Sequence, residues 1–216
     1  MTAATPYEAG MYIPGSFAER ERAVLHGLMR EHAFATLITT VEGAPVASHI
    51  PFLLDAERGE HGTLVAHLAR ANPQWRSFDA EALVIFQGAH GYVSPTWYAG
   101  GDNVPTWNYA VVHAYGRPRL LDDAASARRV IDRLAAVYEN GRSPRWSTDS
   151  VPAAFVDKLV GAIVAFEIPI SRLEGKFKLN QNKSDADRAG VVAALHAEGN
   201  AEATALANLM EARVLG

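Results

Sequence analysis

The chain of 216 residues contains no cysteine. A disulfide framework and a thiol redox site are therefore excluded, and a chain of this length buries enough apolar surface to need no such link. The sequence also lacks any apolar run near the ~20 residues that cross a bilayer. Its first 17 residues show neither the basic nor the apolar region of a signal peptide. We therefore expect a soluble, cytoplasmic protein.

An excess of positive charge is also missing. Lys and Arg number 20 against 24 Asp and Glu, which gives a net charge of -4. Proteins that bind DNA directly usually carry a basic face, because neutralising phosphates supplies much of their affinity. The sequence has no P-loop, no G-x-S-x-G and no G-x-G-x-x-G after a strand, and its histidines lack zinc-like spacing. We expect no metal site, and no catalytic motif stands out.

Hydrophobic periodicity predicts a mixture of helices and short strands. Ser16 and Glu19 form a capping-box pattern, which predicts a helix starting at residue 16. Residues 34–41 alternate in polarity, and Glu42-Gly43 is typical of a hairpin turn before a second strand. Further strands are predicted at 63–68, 82–88, 90–95 and 110–121, with a long loop at 96–109.

Polar residues mark the starts of the later helices. Asn72, followed by Pro73, predicts one helix start, and either Asp122 or Asp123 predicts the next. Residues 161–175 are typical of a buried strand, and Ser184 with Asp187 predicts the cap of the first of two final helices. These elements predict an α+β protein with an antiparallel barrel or sheet. We expect one domain over residues 1–216, with 184–216 as a C-terminal helical extension.

Three segments could bind a ligand, each with an ordinary alternative. Arg70 just before the helix start at Pro73 could seat a phosphate, or it could be a solvated loop residue. The lysine- and amide-rich segment 175–188 could bind an anion or a polar ring edge, or be a solvated connection. Trp107 is either the plug of a packed core or a surface that holds a flat ligand.

Several segments occur together in an order that resembles one family. They are "MYIPGSF", "ANPQW", "FQGAHGYVSPTWY", "NVPTWNYAVVHAYG" and "KLNQNKSDADR". The sequence is similar to PaiB-like proteins, which are FMN-binding negative transcriptional regulators, from Met11 to about Arg188 and on into the last helices. The resemblance implies a split β-barrel of the kind found in pyridoxamine-phosphate-oxidase-like flavoproteins. It also implies a homodimer with FMN in a groove between the subunits.

The resemblance also implies which residues bind the flavin. The strand "ASHIPF" would run along it, the segment "AHLARANP" would hold its phosphate, and Gln87 would approach from across the interface. Related oxidases carry a basic pair at the phosphate position, whereas Ala71 follows Arg70 here. The C-terminal lysine and amides would close the site. The implied set is Ser48, His49, Ile50, Pro51, His67, Leu68, Arg70, Gln87, Trp107, Asn108, Lys178, Gln181 and Asn182.

Three functions remain open at this stage. The first is an FMN-binding dimeric repressor, which acts on DNA directly or through a partner. The second is a flavin-dependent oxidoreductase acting on a small molecule, in which His49 or Lys178 handles protons. The third is a haem-binding protein with a histidine as axial ligand. Trp107 could also fill a dimer core without touching flavin.

Overall fold

The computed structural model of the chain describes residues 10–215, and the side chain of residue 215 is not included. The signal-peptide prediction depends mostly on residues 1–9, which lie outside the described residues. The chain divides into two compact units. The larger unit comprises Glu21–Gln87 and Val112–Leu173. The smaller unit comprises the described parts of Met1–Arg20, Gly88–Val111 and Glu174–Gly216. The prediction of a single domain therefore stays a prediction.

Strands and helices follow one another in a fixed chain order. The strands between residues 10 and 215 are β1 (Ala18–Glu19), β2 (Phe34–Val41), β3 (Ala44–Pro51), β4 (Leu53–Asp55), β5 (Thr63–Ala69), β6 (Ala82–Val93), β7 (Thr106–Gly116), β8 (Arg119–Leu120) and β9 (Ile163–Lys178). The α-helices are α1 (Arg22–Glu31), α2 (Ala124–Tyr138), α3 (Ala153–Gly161), α4 (Asp185–Glu198) and α5 (Ala201–Met210). No helix in the described range is long and apolar enough to cross a membrane.

The strands form a mostly antiparallel sheet in the order β3-β2-β6-β7-β9-β5-β4, and β1 and β8 also pair with β9. The pairs β2–β3, β2–β6, β4–β5 and β5–β9 are all antiparallel. In the larger unit β3 also lies beside β5, although the strand order contains no ladder between the two. The sheet therefore curls without closing, which confirms the α+β split barrel.

The β2–β3 hairpin forms where the sequence predicts it. Val41 pairs with Ala44 across Glu42 and Gly43, whose φ angles are 50° and 84°. Two successive positive φ values are typical of the type I′ turn, whose twist matches that of the flanking strands. Alternation along β2 then buries Leu37 completely.

Aromatic packing fixes the core of the larger unit. Phe52 contacts Phe86 and Phe166 edge-on, at ring-centroid distances of 6.0 and 6.3 Å. Phe78 packs on Phe166 at 4.8 Å. Phe86 and Phe166 come from β6 and β9, Phe52 lies between β3 and β4, and Phe78 follows the 3-10 turn Pro73–Ser77. Each ring is at most 8% exposed. Edge-on pairs of this kind contribute about 0.5–1.5 kcal/mol beyond the area that they bury.

The predicted capping box at Ser16 and Glu19 is wrong. Ser16 lies in a 3-10 turn, Gly15–Phe17, and Glu19 pairs with Gly175 in the ladder between β1 and β9. Its carboxylate also binds Arg213. These tertiary contacts hold the segment extended, so that α1 begins only at Arg22.

Two further boundaries differ from the predictions. The strands predicted at 82–88 and 90–95 form one strand, β6, because the sheet continues past Gly88. The predicted loop ends at Thr106, where β7 begins, so Trp107 and Asn108 lie in a strand.

The predicted helix caps are confirmed. The side chain of Asn72 accepts a hydrogen bond from Gln74 N, although the helix that it caps is a 3-10 turn, Pro73–Ser77. Asp123 caps α2, and Ser184 caps α4 through Asp187 N. The two predicted C-terminal helices are α4 and α5.

Candidate functional site

Strand β3 places the first predicted flavin residues at one end of the strand order. Ser48 and His49 point to opposite sides, as neighbours in a strand must. Ser48 Oγ accepts a hydrogen bond of 2.9 Å from Asn72 Nδ2. His49 is exposed, and its Nδ1 shares a 3.0 Å hydrogen bond with Thr36 Oγ1. Ile50 and Pro51 are half-buried beside them.

A buried glutamine ties the next segment to the hairpin. Gln74 is 2% exposed. Its Nε2 lies 3.3 Å from Leu37 O, 3.1 Å from Val46 O and 3.2 Å from Thr39 Oγ1. The turn that carries Asn72 is thereby fixed against β2 and β3. The sequence prediction used Asn72 only as a cap and missed Gln74, although a polar residue between Pro73 and Trp75 at a helix start was the available signal.

Arg70 is held in a fixed orientation at the end of β5. Its Nε and Nη2 donate to the carbonyls of Gly161 and Ile163 at 2.8 and 2.7 Å. Its backbone N–H donates to Ala162 O at 2.8 Å. Nη1 has no hydrogen-bond partner among residues 10–215. The guanidinium is therefore exposed and oriented, with one nitrogen left to bind an anion.

His67 and Leu68 precede Arg70 on the same strand. Leu68 is 2% exposed, so only its backbone could reach a ligand. His67 is half-buried, and burial lowers the pKa of its imidazole. Its Nδ1 is buried without a hydrogen-bond partner in the described structure. Because that nitrogen is enclosed by the protein, its contact with a ligand stays a prediction.

These groups fit the ribityl phosphate of a flavin nucleotide. A phosphate requires cationic or N–H donors, and a ribityl chain requires groups that exchange hydrogen bonds with hydroxyls. The larger unit supplies Arg70 Nη1 and the pair Ser48–Asn72, and none of these groups is acidic. Gln87 is exposed on β6 of the same unit and already makes an interaction of its own.

Alternation along β7 separates Trp107 from Asn108 in the smaller unit. Trp107 is 55% exposed, so it is not the plug of a core within this chain. Asn108 is fully buried, and its Nδ2 donates to Met210 Sδ at 3.4 Å. Its Oδ1 has no partner within the described chain. The flavin contact of Asn108 stays a prediction, and the complete burial of this side chain argues against it.

The three C-terminal site residues differ in how far the fold occupies them. Lys178 Nζ donates to Trp107 O at 2.8 Å and also contacts Thr106 Oγ1, and burial lowers its pKa. Gln181 bonds back to its own turn through Phe177 O and Leu179 N, at 2.5 and 2.8 Å. Asn182 is exposed. Asn182 is therefore the member of this set that is most open to a ligand.

The fold and the donor set define the class as a split-barrel flavoprotein. The family described as "Putative FMN-binding domain" matches residues 11–172. The chain belongs to this family, which confirms the predicted resemblance, and FMN is the cofactor of the family domain. The family match covers the domain and not individual contacts, so the predicted site residues stay predictions.

Two relatives match over almost their whole length. The chain is 35% identical over 203 residues to "Protease synthase and sporulation protein PAI 2" of Bacillus subtilis (strain 168), covering 93% of this chain and 97% of that protein. It is 32% identical over 244 residues to an uncharacterized protein of Emericella nidulans, covering 94% and 97%. The chain is therefore a flavin-binding protein of PaiB type.

Solved structures confirm the fold alone, because their sequence identities are low. An FAD and heme binding protein from Mycobacterium smegmatis superposes with a TM-score of 0.59 at 21% identity, covering 80% of this chain and 78% of that one. The flavocytochrome Anf3 from Azotobacter vinelandii superposes with a TM-score of 0.58 at 16% identity, covering 74% and 69%.

Proposed function

We propose that this chain is a dimeric, FMN-binding negative regulator of transcription of the PaiB type. The observation that supports flavin binding best is the oriented guanidinium of Arg70, beside a turn that Gln74 fixes to the hairpin. Kinship with the sporulation protein PAI 2 of Bacillus subtilis supports a regulatory role.

The chain's own groups divide the cofactor between them. Arg70 Nη1 binds the phosphate, while Ser48 and His67 bind ribityl hydroxyls. When bound, FMN supplies one- or two-electron redox chemistry, and the protein contributes binding, orientation and a tuned environment.

Exposed apolar side chains support dimerisation. Phe34 is 69% exposed at the β2–β3 edge of the larger unit, and Val104 is 75% exposed in the smaller unit. Burial of such side chains against a second copy would stabilise a dimer. A second copy of the chain would cover them and complete the flavin groove.

The arginines of α2 favour repression through a partner protein over direct binding of DNA. Arg128 pairs with Asp132 at 3.0 Å, and Arg133 pairs with Asp55. The charges of Arg128 and Arg133 are therefore balanced. Arg129, the third arginine of this helix, donates to Ser126 Oγ, so at most one arginine of α2 is left for DNA phosphates. A DNA-mobility shift that weakens steeply with salt would contradict this part of the proposal.

The test of flavin binding is a titration of the purified protein with FMN, with Arg70→Ala beside it. Loss of one charge-assisted hydrogen bond of about 1.5–3 kcal/mol should raise Kd by roughly 10- to 100-fold. Arg76→Ala is the matched control, because Arg76 is an exposed arginine of the adjacent turn, Pro73–Ser77. Equal FMN affinity in both variants would contradict the phosphate assignment. Sedimentation velocity with and without FMN tests the dimer.

A flavin-dependent oxidoreductase is the second candidate. Two groups favour it: Lys178, whose pKa burial lowers, and His49, whose imidazole is exposed on β3. Either could hold or release a proton beside a reduced flavin. Steady oxidation of a reduced nicotinamide by the FMN-loaded protein, abolished by His49→Gln or Lys178→Met, would support this function. If no such oxidation is measured, the regulator remains the better supported function.

A further inference from the structure

The smaller unit contains a pocket of about 200 Å³ that flavin binding does not explain. Three aromatic side chains line it: Tyr92 of β6, Trp97 of the 3-10 turn Pro95–Trp97, and Trp107 of β7. We propose that this aromatic pocket binds a small alkylammonium cation, such as a quaternary amine.

The rings are arranged as the walls of a cage. The centroid of Tyr92 lies 6.5 Å from that of Trp97 and 6.2 Å from that of Trp107, and the interplanar angle is 74° in both pairs. Tyr92 stands nearly perpendicular to both indoles in edge-to-face contact. A cation in the pocket that the three rings line is attracted by the quadrupole of each ring whose face it meets. Among the described residues no lysine or arginine lines the pocket. Its basic side chain is His90, whose Nδ1 shares a 3.2 Å hydrogen bond with Gly88 O.

Two carboxylates give the rim a negative charge. Glu198 is the last residue of α4 and Glu202 lies in the first turn of α5, and both line the pocket. Neither has a charged partner between residues 10 and 215. Gly199, at φ 69°, allows the tight turn that brings the two helix ends together.

The helix dipoles do not reverse this charge. The negative end of α4 and the positive end of α5 meet at the same rim, so their partial charges of about half a unit oppose each other. The side chain of Asn200 also caps α5 by accepting from Ala203 N at 2.8 Å. The two carboxylates therefore decide the sign of the potential, which selects a cation over a neutral ligand of the same shape.

The pocket is built before any ligand arrives. A Cβ added to Gly190 of α4 would lie 2.4 Å from Trp97 O, so helix and turn are in close contact. Asp187 Oδ1 accepts from Ala99 N at 2.9 Å, just after Trp97. Walls that are already ordered lose little entropy when a ligand binds.

The aromatic pocket shares only Trp107 with the predicted flavin residues. Tyr92, Trp97, Glu198 and Glu202 belong to neither the phosphate nor the ribityl group of contacts. The proposal does not rest on the regulatory function, but it requires that Trp107 line this pocket and not the flavin groove. It then predicts a second ligand that binds while FMN is present.

The test is isothermal titration calorimetry of the FMN-loaded and FMN-free protein. Choline is the probe, and its neutral isostere 3,3-dimethylbutan-1-ol is the chemical control. We expect saturable binding of one choline per chain, with at least about tenfold weaker binding of the alcohol. Tyr92→Leu should weaken choline binding by about tenfold. Trp146→Leu is the matched control, because Trp146 is 37% exposed in the larger unit and does not line the pocket.

A second variant distinguishes loss of the ligand contacts from loss of folding. Glu198→Gln/Glu202→Gln changes only exposed side chains, and it should weaken choline binding and flatten its salt dependence. Equal binding of choline and the alcohol, or unchanged affinity in both pocket variants, would overturn the proposal. Choline binding that FMN abolishes would also overturn it, because the pocket would then belong to the flavin site.

Discussion

Gln74 provides the sharpest test of how the fold positions the flavin site. Its Nε2 carries two hydrogens but faces three acceptors, on Leu37, Thr39 and Val46, within 3.3 Å. Its Oε1 is buried without a partner in the described chain. The substitution Gln74→Met keeps the length of the side chain and removes both polar atoms.

The expected loss follows from this inventory. Each buried acceptor left without its donor costs about 1–3 kcal/mol, and two full hydrogen bonds are the most that Nε2 can make. Removal of the buried, unpartnered Oε1 is itself stabilising and offsets part of this loss. The net decrease in the free energy of unfolding is therefore about 2–3 kcal/mol. For a chain of this size we expect Tm to fall by roughly 4–12 °C.

Urea unfolding followed by circular dichroism measures this loss as a lower midpoint with an unchanged slope. Thr40→Val is the control, because it removes a polar atom at an exposed position of the same hairpin, where about 0.5 kcal/mol or less is expected. FMN affinity should fall in Gln74→Met as well, since the turn carrying Asn72 loses its anchor. An unchanged midpoint for Gln74→Met would refute the idea that this glutamine fixes the turn.

Three further predictions concern stability. Burial lowers the pKa of His26 and outweighs its hydrogen bond to the carbonyl of His61. Neutral His26 therefore stabilises the fold fully above pH 6.5, and this stabilisation is lost as the pH falls further. His26→Gln should make the fall in Tm between pH 7 and 5 smaller. Burial raises the pKa of Asp55, but hydrogen bonds from arginines outweigh this and lower it; the Tm difference between wild type and Asp55→Asn should therefore shrink as pH falls below 3.8. Gly190→Ala should lower the free energy of unfolding in urea by about 1–3 kcal/mol, because the added Cβ would clash with Trp97 O. Gly27→Ala is the control: Gly27 lies in open space within α1, and the change should stabilise by about 0.5–1 kcal/mol. Equal effects of the two changes would contradict the close contact between Gly190 and Trp97.

Features that depend on a few neighbouring residues could be predicted from the sequence. The Glu42-Gly43 turn and the caps at Asn72, Asp123 and Ser184 all formed as predicted, because each depends on the conformation or hydrogen bonds of residues within three positions. The flavin family was likewise recognisable from motifs alone.

Features that depend on distant partners could not be predicted. Glu19 lies in a strand because Gly175 and Arg213 bind it from more than 150 residues away. The aromatic pocket joins Trp97 and Trp107 to the junction of α4 and α5 about 100 residues later. Nothing within either segment indicates its partner.

The sequence by itself determined the cofactor class, the local turns and caps, and the presence of Arg70 before a helix start. The tertiary structure decided which of the predicted residues face outward. Alternation within β7 turned Trp107 toward solvent and Asn108 into the interior, and Gly161 and Ile163 oriented Arg70. The physical reason is that side-chain direction and hydrogen-bond partners are set by the register of neighbouring strands, which depends on long-range packing and not on local residue preference.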